Sequence, residues 1–225
     1  MLHVKWSLSF STEVRLEDVF VRGLKEIRDG DLELAEQFGY TVKLAGSARK
    51  DEDGVEVAVE PVFFPNSHPL ASVNNEFNAV YIYGDAVGET MFYGPGAGSM
   101  PTATSVTGDI VAACRNLLLD VNGKRPHVMQ YERKVKNDRE KYSRYFHRIH
   151  VKDEVGVLTK LTAIYSAHGA SLATVVQDSD KSESGAELIF ITHKISRQQH
   201  LDIANELNET PEVIGLLSHY RVEGE

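Results

Sequence analysis

The chain has 225 residues, 42% of them hydrophobic and 25% charged, an ordinary globular composition with interior enough for one large domain or two modest ones. No apolar run approaches the roughly 20 residues that span a bilayer, and no signal-peptide pattern opens the chain, so it reads as cytoplasmic with no membrane partner. A lone cysteine, Cys114, excludes an internal disulfide, and its place on the apolar side of a helix predicts a buried, inert thiol.

In chain order, Asp29 is placed to cap a short helix carrying Leu32, Ala35 and Phe38, ended by Gly39. Thr41–Ala48 and Val55–Phe63 alternate like strands around a charged turn at 49–54. Asn78–Tyr83 and Thr90–Tyr93 supply further strands. A helix over Pro101–Leu119 puts Ala103, Val106, Ile110, Ala113 and Leu117 on one stripe. The first part therefore reads as a mixed sheet covered by helices.

Residues 122–148 hold nine Lys/Arg against three acidic residues, although the whole chain carries −9. The tyrosines there fit no RNA-binding motif, so the stretch reads as a solvated linker, not a nucleic-acid surface. Beyond it, Tyr145–Val151, Ser171–Gln177, Ala186–His193 and Val213–Val222 read as strands. Val157–His168 reads as a helix with Val157, Leu158, Leu161, Ile164 and Tyr165 on one face. Ser196 and Gln199 form a capping box before a last helix. The order βαββαβ is a ferredoxin-like plan. The overall class is α+β, divided as 1–121, linker 122–143 and 144–225.

The stretch of greatest chemical interest is 84–103, where Gly94, Gly96 and Gly98 precede a helix start. Alternate glycines expose backbone N–H groups at a positive helix end, which suits a phosphate or a carboxylate. The spacing is not the G-x-G-x-x-G of a dinucleotide fold, and a tight strand-to-helix turn explains it equally well. Asp85 and Glu89 either line that cleft or serve a hairpin turn. His147 and His150 fall on opposite strand faces, and no Cys/His spacing or Ser/His/Asp set is present, so no metal site is expected.

The words Asn78-Ala-Val-Tyr-Ile-Tyr-Gly-Asp-Ala-Val-Gly-Glu-Thr-Met-Phe-Tyr-Gly-Pro-Gly-Ala-Gly98, then Pro101-Thr-Ala-Thr104 and Gly108-Asp109, resemble homoserine dehydrogenases. Ser7-Leu-Ser-Phe-Ser-Thr-Glu13, Glu17-Asp18-Val19 and His68-Pro-Leu-Ala-Ser-Val73 extend the resemblance. Val151-Lys-Asp-Glu-Val-Gly-Val-Leu158 resembles the opening of an ACT domain, an amino-acid-sensing module.

These resemblances imply a partial catalytic domain followed by a regulatory ACT domain. They imply NAD(P)-linked interconversion of L-homoserine and L-aspartate 4-semialdehyde, with NAD and NADP left open. Gly98 matches a cofactor-contacting glycine, and Gly94 and Gly96 shape its turn. In the ACT part Gly156, Val157 and Leu158 offer N–H groups to an effector carboxylate, Asp153 can take its ammonium, and L-threonine is the family expectation. A homodimer or homotetramer is implied.

The family's catalytic lysine falls at Met1, with its nucleotide-binding domain and substrate-binding acids upstream, so no catalytic residue is carried over. Lys5, one helical turn on, reads as a rim lysine with a replacement proton donor as the other reading; His3 has no visible partner. Three alternatives stay open: a truncated reading frame, a two-part enzyme with a separate nucleotide-binding polypeptide, and a stand-alone amino-acid sensor. Truncation predicts exposed apolar surface at Trp6, Leu8 and Phe10.

Overall fold

The computed structural model describes residues 6–7, 9–121, 128–178 and 185–224. Met1, His3, Lys5, Leu8, Lys124, Arg125 and the predicted hairpin-loop residues 179–184 lie outside them.

The second part follows the predicted plan. Strands β6 (Tyr142–Val151), β7 (Leu172–Asp178), β8 (Ala186–Thr192) and β10 (Val213–Val222) line up as β10-β6-β8-β7, all antiparallel. Helices α3 (Val157–Ala167) and α4 (Arg197–Glu209) cover one face. That core joins Tyr145, Ile149 and Val151 from β6 to Leu161, Tyr165, Ile203 and Leu207 from the helices. The predicted capping box is present: Gln199 N–H donates to Ser196 Oγ at 3.2 Å and Ser196 N–H to Gln199 Oε1 at 2.9 Å. Leu158, expected on the apolar face, is exposed instead.

In the first part β2 (Tyr40–Asp51) and β3 (Gly54–Pro65) form a twelve-residue antiparallel hairpin. On the other edge of β3 lie the short β1 (Phe20–Val21) and then β10, both parallel to it. The β3–β10 register pairs Val62 with Arg221 and Phe63 with Val222, and Glu223 N–H donates to the Phe63 carbonyl at 2.9 Å. With the two-residue β9 (Ile195–Ser196), which pairs with β6, both parts thus share one eight-stranded sheet. Helix α1 (Asp29–Gln37) covers the sheet face opposite α3 and α4, through a core of Leu34, Ala35, Phe63, Phe146, Ile189, Ile191, Tyr220 and Val222. Phe63 is fully buried, with its ring 4.8 Å from those of Phe146 and Tyr220.

Four expectations need correction. Arg28, not Asp29, is the N-cap of α1, and the buried stripe runs through Asp31, Leu34 and Ala35 while Leu32 faces solvent; the helix begins at Asp29 itself, and its apolar face packs on Phe63 and on the second part. The long helix α2 (Ser99–Leu118) buries none of its residues, so its apolar stripe and Cys114 are exposed: no described element packs over it. Trp6 is buried with Val14, Val55 and Val57, and Phe10 is half-buried beside them, because the chain folds that start back onto β3. The basic linker is pinned, not free. Lys134 carbonyl accepts Val55 N–H at 2.9 Å, Lys136 N–H donates to Val55 carbonyl at 3.0 Å, and Thr12 Oγ1 donates to Glu132 carbonyl at 2.9 Å. Arg133 pairs with Asp18, Lys136 with Asp51, and Lys141 with Asp138, which neutralises much of its charge within the fold.

A hydrogen-bonded chain of side chains, buried except for the half-buried His219 at its end, crosses the second core. Tyr165 OH lies 2.7 Å from His147 Nδ1, His147 Nε2 lies 2.8 Å from His200 Nδ1, and His200 Nε2 lies 3.0 Å from His219 Nδ1. Neutral imidazoles carry one donor and one acceptor each, so all three links are satisfied when every ring is neutral and the donors run in one direction. Burial enforces that state. It lowers His147 to about 3 and His219 to about 4, and pushes His200 well below its usual value.

Two outcomes follow from this architecture. Phe63→Ala is expected to destabilise by about 3–5 kcal/mol, with one denaturation midpoint shared by probes in both parts; two separate transitions would contradict a common core. The histidines take up protons more readily unfolded than folded between pH 6.5 and about 4, so stability falls with falling pH across that window, by about 1.4 kcal/mol per pH unit for each. Urea unfolding from pH 7 to pH 5 checks it, and His219→Gln is expected to make the slope shallower by about that amount.

Candidate functional site

The glycine segment stands on its own two-stranded sheet. Strands β4 (Phe77–Gly84) and β5 (Gly88–Pro95) pair in register from Phe77↔Pro95 to Gly84↔Gly88, so Gly94 belongs to β5 and the turn proper is Gly96–Gly98. Phe77 and Tyr93 stack at 4.9 Å and 7° at its base. The hairpin meets the large sheet through rings: Phe64 to His68 and His68 to Tyr81 are each 4.9 Å apart. Asp85 lies in the exposed hairpin turn. Glu89 sits on β5 and, after partial burial, helps hold the Tyr81 hydroxyl above its usual pKa.

Gly96 N–H donates to the Glu76 carbonyl at 2.9 Å. A Cβ on Gly96 would fall 1.5 Å from Asn78 Nδ2, so any side chain there displaces the Asn78 amide. Gly98 is the N-cap of α2 at φ +132°, a conformation that favours glycine, and no side chain caps this helix. The result is a patch of exposed backbone, flanked by the Asn78 amide, at a helix N-terminus. Such a patch admits close approach of a planar or anionic group.

The loop 152–156 joins β6 to α3. Asp153 is exposed, and Gly156 at φ +91° is the N-cap of α3. The expectation for this loop needs one change: Val157 N–H donates to the Glu154 carbonyl at 3.3 Å, and the Val157 side chain is buried. Gly156 and Leu158, both exposed, remain with Asp153 at the helix start. Lys5 and Met1 lie outside the described residues, and among those described no group of three or more His, Cys, Asp or Glu can hold a metal ion.

A cavity of about 30 Å³ opens at the seam between the parts, lined by Ser47, Glu60, Ser143, Tyr145, Arg197 and Arg221 among others. It has room for roughly two waters. Burial raises the pKa of Glu60, and Arg221 Nε is buried without a hydrogen-bond partner.

The polar centre not anticipated from sequence is Asp31. It is 0% exposed and accepts from Ser218 Oγ and Tyr220 OH, each at 2.7 Å, and from Arg148 Nη1 and Arg28 N–H, each at 3.1 Å. Arg148 also holds Glu187 through Nε at 2.8 Å and Nη2 at 3.0 Å. The legible sign was position: Asp31 precedes Leu34 and Ala35 by three and four residues, which puts an acid on the buried stripe of α1.

Comparison with known proteins bears on these sites. The homoserine dehydrogenase family model matches residues 2–111. The homoserine dehydrogenase of Bacillus subtilis is 48% identical over 218 residues, which cover 96% of this chain and 50% of that protein. A crystal structure of a homoserine dehydrogenase from Thiobacillus denitrificans superposes with a TM-score of 0.88 at 28% identity, covering 99% of this chain and 51% of the other. That of Staphylococcus aureus at pH 7.0 gives 0.66 at 28% identity, with 99% and 52% covered. The chain spans about half the length of the curated relatives it matches. Sequence and fold together place it in the homoserine dehydrogenase family.

Proposed function

We propose that the chain forms one wall of a homoserine dehydrogenase active site and carries the enzyme's amino-acid sensor. The observation behind this reading is the exposed Gly96-Ala97-Gly98 backbone at the start of α2, in a chain whose relatives are homoserine dehydrogenases. A nicotinamide cofactor, NAD or NADP, suits this turn because Gly98, at φ +132° and without a side chain, keeps the helix start bare. That cofactor supplies hydride exchange with L-homoserine and L-aspartate 4-semialdehyde, a step in threonine, methionine and isoleucine synthesis. Gly94 is the last residue but one of the strand that delivers the turn; Gly96 and Gly98 let the cofactor reach the backbone.

The catalytic lysine and the nucleotide-binding fold belong to a further portion, in the same polypeptide or a separate one. The exposed apolar side chains of α2, among them Val106, Ile110, Val111 and Leu118, give that portion a surface to cover. The same bare surface weighs against a self-sufficient sensor. The βαββαβ part is an ACT module whose loop takes L-threonine, the ammonium at Asp153 and the carboxylate at the Gly156–Leu158 helix start. β7 ends the sheet, and pairing along its outer edge with a second copy gives a homodimer.

NADPH oxidation with L-aspartate 4-semialdehyde tests the first half of this reading. The chain alone is expected to match the no-enzyme rate, and a homoserine dehydrogenase nucleotide-binding portion supplied with it to restore turnover. Turnover by the chain alone would place the chemistry within it. In the complemented enzyme Gly98→Ala forces a Cβ onto φ +132° and is expected to lower kcat/KM about tenfold or more. Gly156→Asp is expected to weaken L-threonine binding at least about tenfold by calorimetry, since it sets a like charge beside the carboxylate; unchanged affinity rejects this placement.

A further inference from the structure

We infer that the Asp31–Arg148–Glu187 triad carries the occupancy of the sensor loop into the first part of the chain. This rests on the proposed amino-acid sensor at residues 153–158. Arg148 stands on β6 three residues before Val151, where that strand ends and the loop begins. Glu187 stands on β8 one residue after Ala186, where the strand starts; the register pairs it with His150, and Ala186 with Val151. One guanidinium therefore ties the ends of β6 and β8 at the same end of the sheet, and its third nitrogen reaches across to α1.

The reach is built for close approach. A Cβ on Gly30 would meet Arg148 Nη1 at 2.7 Å, so the first turn of α1 leaves space for the guanidinium. Asp31 has no water to fall back on. It is fully buried, and three of its four donors, Arg148, Ser218 and Tyr220, come from β6 and β10. A shift of the β6 end drags Arg148, and Arg148 cannot leave Asp31 without stranding a buried carboxylate. Helix α1 must follow. From there a continuous set of contacts runs through the Phe63–Tyr220 stack, then Phe64, His68 and Tyr81, to the hairpin that bears the glycine turn. Strand pairing of β10 with β3 offers a second route, which does not use Arg148.

Hydrogen–deuterium exchange of this chain with and without L-threonine separates the routes. L-Threonine is expected to slow exchange in residues 150–158 and also in α1 and β3. Asp31→Asn and Arg148→Lys, each first checked for a cooperative melt, are expected to bind L-threonine within threefold of the parent by calorimetry while losing the response of α1. Asp31→Asn keeps shape and removes the buried charge that holds Arg148 to α1, so it serves if Arg148→Lys does not fold. A full α1 response in the folded variants, or binding by the parent with α1 unchanged, overturns the triad's role and leaves the sensor reading intact. No binding of L-threonine by the parent overturns both.

Discussion

The pairing of β3 with β10 governs the molecule. Only two residue pairs make it, Val62↔Arg221 and Phe63↔Val222, yet it turns two sheets into one. Without it the βαββαβ part would present an open sheet face, and α1 would have nothing to cover. With it, Phe63 slides between Phe146 and Tyr220, and α1 closes the face with Leu34 and Ala35. Burial of one large aromatic contributes a few kcal/mol, which is a sizeable share of a typical domain's net stability. The pinned linker follows from the same geometry, since it must run back along the start of β3 before entering β6.

Asp31 exposes what this arrangement costs. A carboxylate at full burial loses its hydration, and four donors replace the water. Well-packed apolar side chains replacing Asp31 and its partners together would do as well for stability, because buried ion pairs gain little over well-packed hydrocarbon, whereas removing Asp31 alone would strand its donors. What the pair supplies is a fixed relative position: Arg148 satisfies Asp31 and Glu187 together only when α1, β6 and β8 hold one geometry. The histidine chain on the other face works differently. Its members need no charge partner, and burial keeps them neutral.

Much of the fold was legible in local pattern. The hairpin 40–65, the βαββαβ order and the Ser196–Gln199 capping box all depend on near neighbours in sequence, and all are present. The errors have one physical cause: periodicity says which face of a helix is apolar but not what it meets. Leu32 was set on one stripe with Ala35 and Phe38; Ala35 and Phe38 do pack on the core, but most of that core lies more than a hundred residues on, and it selects Asp31 and Leu34 in place of Leu32. For α2 the stripe was read correctly as apolar and wrongly as buried. At the sites, Gly98 and Gly156 were visible because positive φ demands glycine, whereas Val157 N–H was lost to Glu154 by loop geometry that no residue type announces.

The glycine turn sits at the edge of all this order. Its hairpin shares no strand pairing with the large sheet and joins it by the His68 ring between Phe64 and Tyr81. A ring contact of this kind contributes about 1 kcal/mol, far less than a strand ladder, so the turn can adjust its position while the eight-stranded sheet stays fixed. A surface that closes over a cofactor gains from such latitude, provided the turn itself is stiff. Here stiffness is local: the Gly96 N–H bond to Glu76, the Asn78 amide against Gly96 and the Phe77–Tyr93 stack hold the loop's shape whatever the hairpin does. Rigidity therefore lies where the cofactor would touch, and freedom lies one layer behind it, the distribution that lets a preorganised site still open and close.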